Sequence, residues 1–189
     1  IVKLAGAASQ KVETLDELEA LAKKAVLQTR SVGVSMSPGS IPATGKPTFE
    51  LDEDKIGLGM GIHGEPGVAE IPMATADELT PQMLDLVVKD FAEDEEVEAL
   101  SEGDEIILFV NSLGATTMME CLIALRKAKE YFTGKGVTIY DVMVGPLVTC
   151  QEMSGISFSV TRVDDELKEY WEMPCQSVCF SKMEGRYGG

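Results

Sequence analysis

The sequence is poor in residues on which several common functions depend. Its 189 residues include one histidine, one tryptophan and 16 basic side chains, against 32 acidic ones. The net charge of −16 argues against nucleic-acid partners, because binding phosphates requires a basic surface. It also argues against binding to anionic membrane surfaces. Hydrophobic residues make up 44% of the chain, so a packed core in a single domain over residues 1–189 is expected.

Long apolar runs and regularly spaced cysteines are also missing. No apolar run approaches the roughly 18–20 residues that cross a bilayer, and no signal peptide is visible at the start. Of the four cysteines, Cys175 and Cys179 have the spacing of a metal-binding pair. No second pair and no nearby histidine would complete a tetrahedral site, however. We therefore predict reduced thiols, no metal site and a cytoplasmic protein.

Hydrophobic periodicity predicts a chain of mixed helices and strands. A capping box at 14–17 starts the first helix, and a buried strand at 105–111 leads directly into another helix. The predicted helices cover 15–30, 76–91, a segment through Tyr131 and 164–171; the predicted strands cover 31–37, 55–62, 105–111, 137–145 and 156–163. Some strands follow one another without room for a helix, so we expect an α/β fold with a mixed sheet.

The segment GLGMGIHGEPG, residues 57–67, holds the only histidine among five glycines. Gly59 to Gly64 formally match G-x-G-x-x-G, but Glu65-Pro66-Gly67 follow where the dinucleotide fingerprint needs a helix. We therefore reject dinucleotide binding. The chain also contains neither a P-loop nor a G-x-S-x-G nucleophile motif.

His63 itself remains as the candidate for chemistry. Glycines on both sides would let a small molecule approach, and Glu65 lies close enough in sequence to hold one ring nitrogen as N–H. A neutral imidazole fixed in this way can act as a general base or as a nucleophile toward a carbonyl. The alternative is an ordinary loop histidine satisfied by hydrogen bonds.

A second motif, NSLGATT at 111–117, lies between a buried strand and a helix. Its backbone N–H groups could bind an anion at the start of the helix. A capped helix after a tight turn explains the same residues equally well.

Several segments together resemble a known family. SVGVSMSPGSIPATGKPTFEL, GLGMGIHGEPGV, NSLGATT and SGISFSVTRVDDE are similar to the C-terminal half of the dihydroxyacetone kinase K subunit. The resemblance implies a two-layer α/β lobe of the type shared with the DegV fatty-acid-binding proteins, with a mixed sheet and helices packed on one face. It further implies that an N-terminal lobe, absent from this chain, carries an aspartate general base and a second histidine. This chain alone is therefore not expected to be an active kinase.

The same resemblance assigns the site. In that family the histidine of GIHGEPG adds to the ketone carbon of dihydroxyacetone and forms a covalent hemiaminal, which makes His63 the catalytic nucleophile. Glu65 would orient it, and Gly61 and Gly64 would line the substrate site. No cofactor would be bound by this chain, because the phosphoryl donor, ADP or ATP with Mg, sits on a partner subunit.

The implied partners are dihydroxyacetone, the nucleotide-carrying L subunit of dihydroxyacetone kinase, which is recharged through the phosphotransferase system, and a second copy in a homodimer. Two other functions stay open. One is a dihydroxyacetone-sensing transcriptional co-activator that transfers no phosphate. The other is a lipid- or small-molecule-binding lobe in which His63 has no covalent role.

Overall fold

The computed structural model describes residues 1–62, 65 and 67–187 and has an α/β fold. Thirteen helices and strands account for its regular structure. In chain order they are α1 (Val2–Ala8), α2 (Leu15–Leu27), β1 (Thr29–Ser37), β2 (Lys55–Leu58), β3 (Ala69–Pro72), α3 (Ala76–Glu93), β4 (Glu105–Ser112), α4 (Met118–Gly134), β5 (Thr138–Gly145), β6 (Ser154–Arg162), α5 (Asp165–Glu172), β7 (Cys175–Gln176) and β8 (Ser181–Lys182). No helix in these residues is both long enough and apolar enough to span a bilayer.

Six of the strands form one mixed sheet in the order β3-β2-β1-β6-β4-β5, which confirms the predicted sheet type. Only β4 and β5 run parallel, and α4 connects them. β6 lies between β1 and β4, antiparallel to both. β1, β4 and β5 therefore have their carboxyl ends at the same end of the sheet, where the loops that follow them meet.

One face of the sheet carries the larger core. Alternate residues of the central strands, such as Val34, Leu108 and Phe158, are fully buried there under α3 and α4. Phe91 of α3 and Phe132 of α4 are among the largest buried side chains and fill the space between the helices and the sheet. These two helices are the predicted layer on one face.

Three further helices cover part of the opposite face, an addition to the predicted two-layer arrangement. α1, α2 and α5 form a second core with Ile107 of β4, whose side chain points away from that of Leu108. Trp171 of α5 donates a hydrogen bond of 2.6 Å from Nε1 to the buried carboxylate of Asp141. The apolar start of the chain forms α1 and contributes Leu4 to this core.

The predicted boundaries of the long helices hold to within three residues, the largest overlap being at Thr29 and Arg30, which belong to β1 and not to α2. The boundary of the strand before the glycine-rich segment is wrong. That strand was expected to run from 55 to 62 because Ile56, Leu58, Met60 and Ile62 alternate with small residues. β2 instead ends at Leu58, because Gly59 takes a left-handed conformation with φ +76° and turns the chain. The sequence also gave no signal for β3 or for the β7–β8 hairpin.

Three helices begin with the same N-terminal capping box. Thr14, Thr75 and Thr117 are the N-caps of α2, α3 and α4, and a glutamate three residues on accepts a hydrogen bond from each cap N–H. These hydrogen bonds lower the pKa of Glu17, Glu78 and Glu120 below the usual value of 4.5. Each helix start is thus specified by four adjacent residues.

The capping boxes predict a pH dependence of stability. Because the folded state lowers these pKa values, the carboxylates stabilise the fold above pH 4.5, and this contribution is lost as the pH falls through the lowered values. We expect the triple variant Glu17→Gln, Glu78→Gln, Glu120→Gln to be less stable than the wild type at pH 6. The difference in melting temperature should shrink toward pH 3, as measured by circular dichroism. A difference that stays constant with pH would contradict this.

Candidate functional site

The glycine-rich segment leads from β2 to β3, and its described residues at both ends lie against the sheet. Gly59 donates a backbone hydrogen bond of 2.7 Å to the carbonyl oxygen of Gly33 in β1, and Val68 donates one of 2.8 Å to Leu58. A side chain on Gly33 would meet the carbonyl oxygen of Met60 at 3.0 Å. The segment can therefore lie this close to β1 only because β1 presents bare backbone there.

Two of the predicted site residues are described, and they contact each other. The Glu65 carboxylate folds back over Gly61, where a Cβ atom would lie 2.1 Å from Oε2. A side chain at position 61 would therefore displace the Glu65 carboxylate, the end of a flexible side chain. His63 and Gly64 lie outside the described residues, so their predicted roles as nucleophile and lining residue stay predictions. The expectation that His63 directly follows a strand is wrong, since β2 ends at Leu58.

A second close contact between backbone atoms occurs at Gly67, the last residue of the glycine-rich segment. A Cβ atom on Gly67 would lie 2.4 Å from the carbonyl oxygen of Leu58 and 3.2 Å from the backbone nitrogen of Met60. Both atoms belong to the backbone and cannot swing aside as a flexible side chain could. Any larger residue at this position would have to force the two ends of the segment apart.

A cavity of about 680 Å³ opens beside this segment, and residues of β1, β6 and α3 line it. Gly61 and Ile62 form one side of it, and Ser157, Ser159 and Phe109 line its floor. Polar and small residues occupy the floor because alternate residues of β1 and β6 point away from the larger core. The cavity places hydroxyl groups and an aromatic ring next to the predicted substrate segment.

Hydrogen bonds hold the floor of the cavity together. The hydroxyl oxygens of Ser31 and Ser159 lie 2.7 Å apart, and the Ser157 hydroxyl accepts a hydrogen bond of 3.2 Å from Asn111 Nδ2. At one end, the guanidinium of Arg30 lies 4.8 Å from the centre of the Phe91 ring and pairs with Asp90. The charged groups around the cavity are therefore partly neutralised by one another.

The NSLGATT motif forms a tight turn before a capped helix. This favours the structural interpretation of the motif over an anion-binding site. Gly114 N–H donates to the Ser112 hydroxyl, Ala115 N–H to the Met153 carbonyl and Thr117 N–H to Glu120. These backbone N–H groups are already engaged within the chain, so they are not directed at an anion.

Asn111 has a function that the sequence pattern did not reveal. Its Oδ1 accepts hydrogen bonds of 3.0 and 2.9 Å from the backbone N–H groups of Leu147 and Val148, and its Nδ2 donates at 2.6 Å to the Val148 carbonyl. The side chain thereby fixes the loop after β5, from which Val148 reaches the cavity. Only the position of Asn111 at the end of a buried strand hinted at this role.

The cysteines do not contribute to the site. Cys121 is buried in the larger core, and burial raises the pKa of its thiol. In residues 1–62, 65 and 67–187, no three histidine, cysteine, aspartate or glutamate side chains are grouped so that they could hold a metal ion.

A family model described as the Dak1 domain matches residues 1–179. The chain belongs to the Dak1 domain family. A dihydroxyacetone-binding subunit of a PTS-dependent dihydroxyacetone kinase from Listeria innocua is 34% identical to this Dak1 domain over 180 residues, which cover 95% of the chain and 52% of the relative. The human triokinase/FMN cyclase is 36% identical over 167 residues, which cover 88% of the chain and 28% of the relative.

Solved structures share the fold of this Dak1 domain. The dihydroxyacetone kinase operon co-activator Dha-DhaQ has a TM-score of 0.78 and 27% identity, with 91% of this chain and 51% of that one covered. A DegV lipid-binding protein from Thermotoga maritima has a TM-score of 0.55 at 8% identity, covering 86% of this chain and 54% of the other, which confirms the predicted DegV-like fold. The chain spans about half the length of the Listeria relative and of the co-activator.

We predict that Gly67→Ala destabilises the fold, because its Cβ would press against the backbone of Leu58. The expected loss is about 1–3 kcal/mol of unfolding free energy, the range for overpacking. Gly134→Ala is the matched control, since nothing lies within 4 Å of a Cβ there and alanine favours a helix. Urea titration of both variants measures the difference. Equal stabilities would show that the segment is not held as tightly as described.

Proposed function

We propose that this Dak1 domain is the part of a dihydroxyacetone kinase that captures the ketone substrate, with His63 as the nucleophile. The supporting observation is the 34% identity, over 95% of the chain, to a subunit named as dihydroxyacetone-binding. The GIHGEPG motif at 61–67, of which Gly61 and Ile62 line a cavity large enough for a small ketose, agrees with this proposal.

The proposed chemistry is an addition to the carbonyl group. A ring nitrogen of neutral His63 attacks the ketone carbon, and the carbonyl electron pair moves to the oxygen, which takes up a proton. The imidazole gives up its other N–H proton, so the hemiaminal product is neutral overall. A carboxylate that accepts this N–H in the starting state keeps the attacking lone pair free. Glu65 is our candidate for that role.

Covalent capture would also decide which substrates are accepted. Glycerol resembles dihydroxyacetone in size and hydroxyl groups but has no carbonyl carbon to which an imidazole can add. A site that depends on the hemiaminal would therefore reject glycerol without a steric barrier. Phosphoryl transfer to the captured substrate would then use a nucleotide-carrying partner, the L subunit, with ADP or ATP and Mg bound there, while two copies of this chain form a homodimer.

Covalent capture leads to a prediction about the nucleophile, His63. His63→Ala in the full-length protein should abolish the dihydroxyacetone adduct, which intact-mass spectrometry after denaturing quench detects in the wild type. Ser159→Ala is the control, because this residue lines the cavity without a role in the addition. An adduct of undiminished yield in the His63→Ala protein would refute covalent capture by this residue.

A further prediction concerns the carboxylate of Glu65, which would orient the histidine. Glu65→Gln should slow adduct formation by about ten- to a hundred-fold, the range found when the carboxylate partner of a metal-bound histidine is removed. Gly61→Ala should have a similar effect with little loss of stability, because its Cβ would displace the Glu65 carboxylate, the end of a flexible side chain. Rates are measured by quenching at intervals. If both variants form the adduct at the wild-type rate, Glu65 does not orient the histidine.

A second function, a ketone sensor that transfers no phosphate, is favoured by the structural likeness to the co-activator Dha-DhaQ. The sensor and the kinase would both form the adduct. They differ when a nucleotide-loaded L subunit is added, because only the kinase would release phosphorylated product. Adduct formation without any phosphorylated product would favour the sensor.

A further inference from the structure

Two rows of residues cross the floor of the cavity, each with one residue from β1, β6 and β4. One row consists of Gly33, Ser157 and Asn111, and the next consists of Ser31, Ser159 and Phe109. All six positions face away from the larger core, because the residues between them, such as Val32 and Phe158, are buried in it. The two rows lie about 7 Å apart along the strands. The floor therefore carries two serines of β6, Ser157 and Ser159, in distinct positions.

The row of Ser157 lies directly beside the start of the glycine-rich segment. A Cβ atom on Gly33 would lie 3.0 Å from the carbonyl oxygen of Met60 and 3.7 Å from the Cβ atom of Ser157. Only the space of a missing side chain thus separates Ser157 from the backbone that leads into the GIHGEPG motif at 61–67. Ser157 is therefore next to the proposed substrate segment, whereas Ser159 pairs with Ser31 one row further along the strands.

The hydroxyl group of Ser157 has capacity to bind a ligand. Its oxygen accepts a hydrogen bond of 3.2 Å from Asn111 Nδ2, and within the part of the chain that the structure describes it donates to no group. A serine hydroxyl has one hydrogen and two lone pairs, so the hydrogen and one lone pair are left. The bond from Asn111 also makes this hydroxyl a stronger donor, because hydrogen bonds in a chain polarise one another. Ser157 is half-buried and lines the cavity, so its hydroxyl can reach a bound molecule.

The hydroxyl groups of the other row are bonded to each other. The oxygen atoms of Ser31 and Ser159 lie 2.7 Å apart. Ser159 is half-buried, like Ser157, and lies on the same strand and the same face of the sheet. The sheet thus contains a close internal comparison, a serine of similar burial that lines the same cavity but does not lie beside the contact between Gly33 and Met60.

The charged side chains that line the cavity form pairs away from Ser157. They come from the start of β1 and from α3, and they are Arg30, Lys89, Asp90 and Glu93. α3 packs on the face of the sheet that carries the larger core, opposite to the face of Ser157. The carboxylate of Glu65, on the glycine-rich segment, is assigned to His63 in the proposed function. The surroundings of Ser157 therefore favour a neutral ligand with a hydroxyl group over a charged one, which would lack a partner there.

We propose that the Ser157 hydroxyl binds a hydroxyl group of the captured ketose and so helps to determine which ketones the site accepts. The serine donates its hydrogen to the substrate oxygen, and its remaining lone pair accepts the hydrogen of the substrate hydroxyl. This inference rests on the proposed capture by His63 and adds a second contact to the same substrate.

The two contacts would recognise different parts of the substrate. His63 requires a carbonyl carbon, which glycerol lacks, and Ser157 requires a hydroxyl group, which acetone lacks. A site that bonds a substrate hydroxyl disfavours an analogue without it, because the polar group of the site is then left unpaired. Together the two residues select hydroxyketones, the class of compounds to which dihydroxyacetone belongs.

The test measures the dihydroxyacetone adduct of the full-length wild type and of Ser157→Ala by intact-mass spectrometry after a denaturing quench. We expect the dihydroxyacetone concentration for half-maximal adduct to rise about three- to tenfold in the variant, the effect of one lost hydrogen bond. The rate of adduct formation at saturating ketose should stay within about twofold, because the contact is not to the carbonyl group. The melting temperature should not change, since Asn111 keeps its hydrogen bond of 2.6 Å to the Val148 carbonyl.

Two further variants are the controls. Ser157→Thr keeps a hydroxyl group on a residue suited to a strand, so its half-maximal concentration should lie within about twofold of the wild type. Ser159→Ala removes a hydroxyl group from the same cavity floor and should stay in the same range. Equal shifts in Ser157→Ala and Ser159→Ala, or a shift that threonine does not reverse, would overturn the assignment.

The remaining outcomes separate this inference from the proposed function. A slower saturating rate with an unchanged half-maximal concentration would place Ser157 at the carbonyl oxygen and would overturn the hydroxyl contact. Normal adduct formation in Ser157→Ala would refute this inference alone. A wild type without any adduct would refute the capture by His63 as well.

Discussion

The candidate site depends on a close contact between two backbone segments, β1 and the chain that follows β2. The hydrogen bond from Gly59 N–H to the Gly33 carbonyl joins them. A segment that must lie flat on a sheet can do so only where the strand below it has no side chain on that face. Gly33 meets this condition in β1, and Gly57, Gly59 and Gly67 meet it in the segment itself. The many glycines around His63 are thus a requirement of packing as well as a route for a substrate.

This explains which parts of the molecule could be predicted from the sequence. The start of α2 was clear from the capping box at Thr14 and from the apolar residues at helical spacing after it. The structure shows the same capping box at the starts of α3 and α4. The buried strands β4 and β6 were clear because they are continuous and apolar or alternate regularly. These signals are local, so a single sequence contains them in full.

Other features depend on contacts between distant residues and leave no local pattern. The end of β2 is set by the conformation of Gly59, although Met60 and Ile62 continue the alternation of the strand. The helices on the second face are held by Ile107, whose neighbours on the strand face the other way. The role of Asn111 depends on a loop that is 36 residues further along the chain. The family resemblance supplied the identity of the candidate nucleophile, which one histidine in a glycine-rich loop could only suggest.

The position of Trp171 has a practical consequence. It is the only tryptophan in the sequence, it is 6% exposed, and its indole N–H is bonded to a buried carboxylate in the second core. Indole emission responds to the polarity and hydrogen bonding of its surroundings. Tryptophan fluorescence, excited at wavelengths that tyrosine does not absorb, therefore reports on the docking of α5 against the sheet. It gives a spectroscopic signal for one layer of the fold, in a region separate from the cavity.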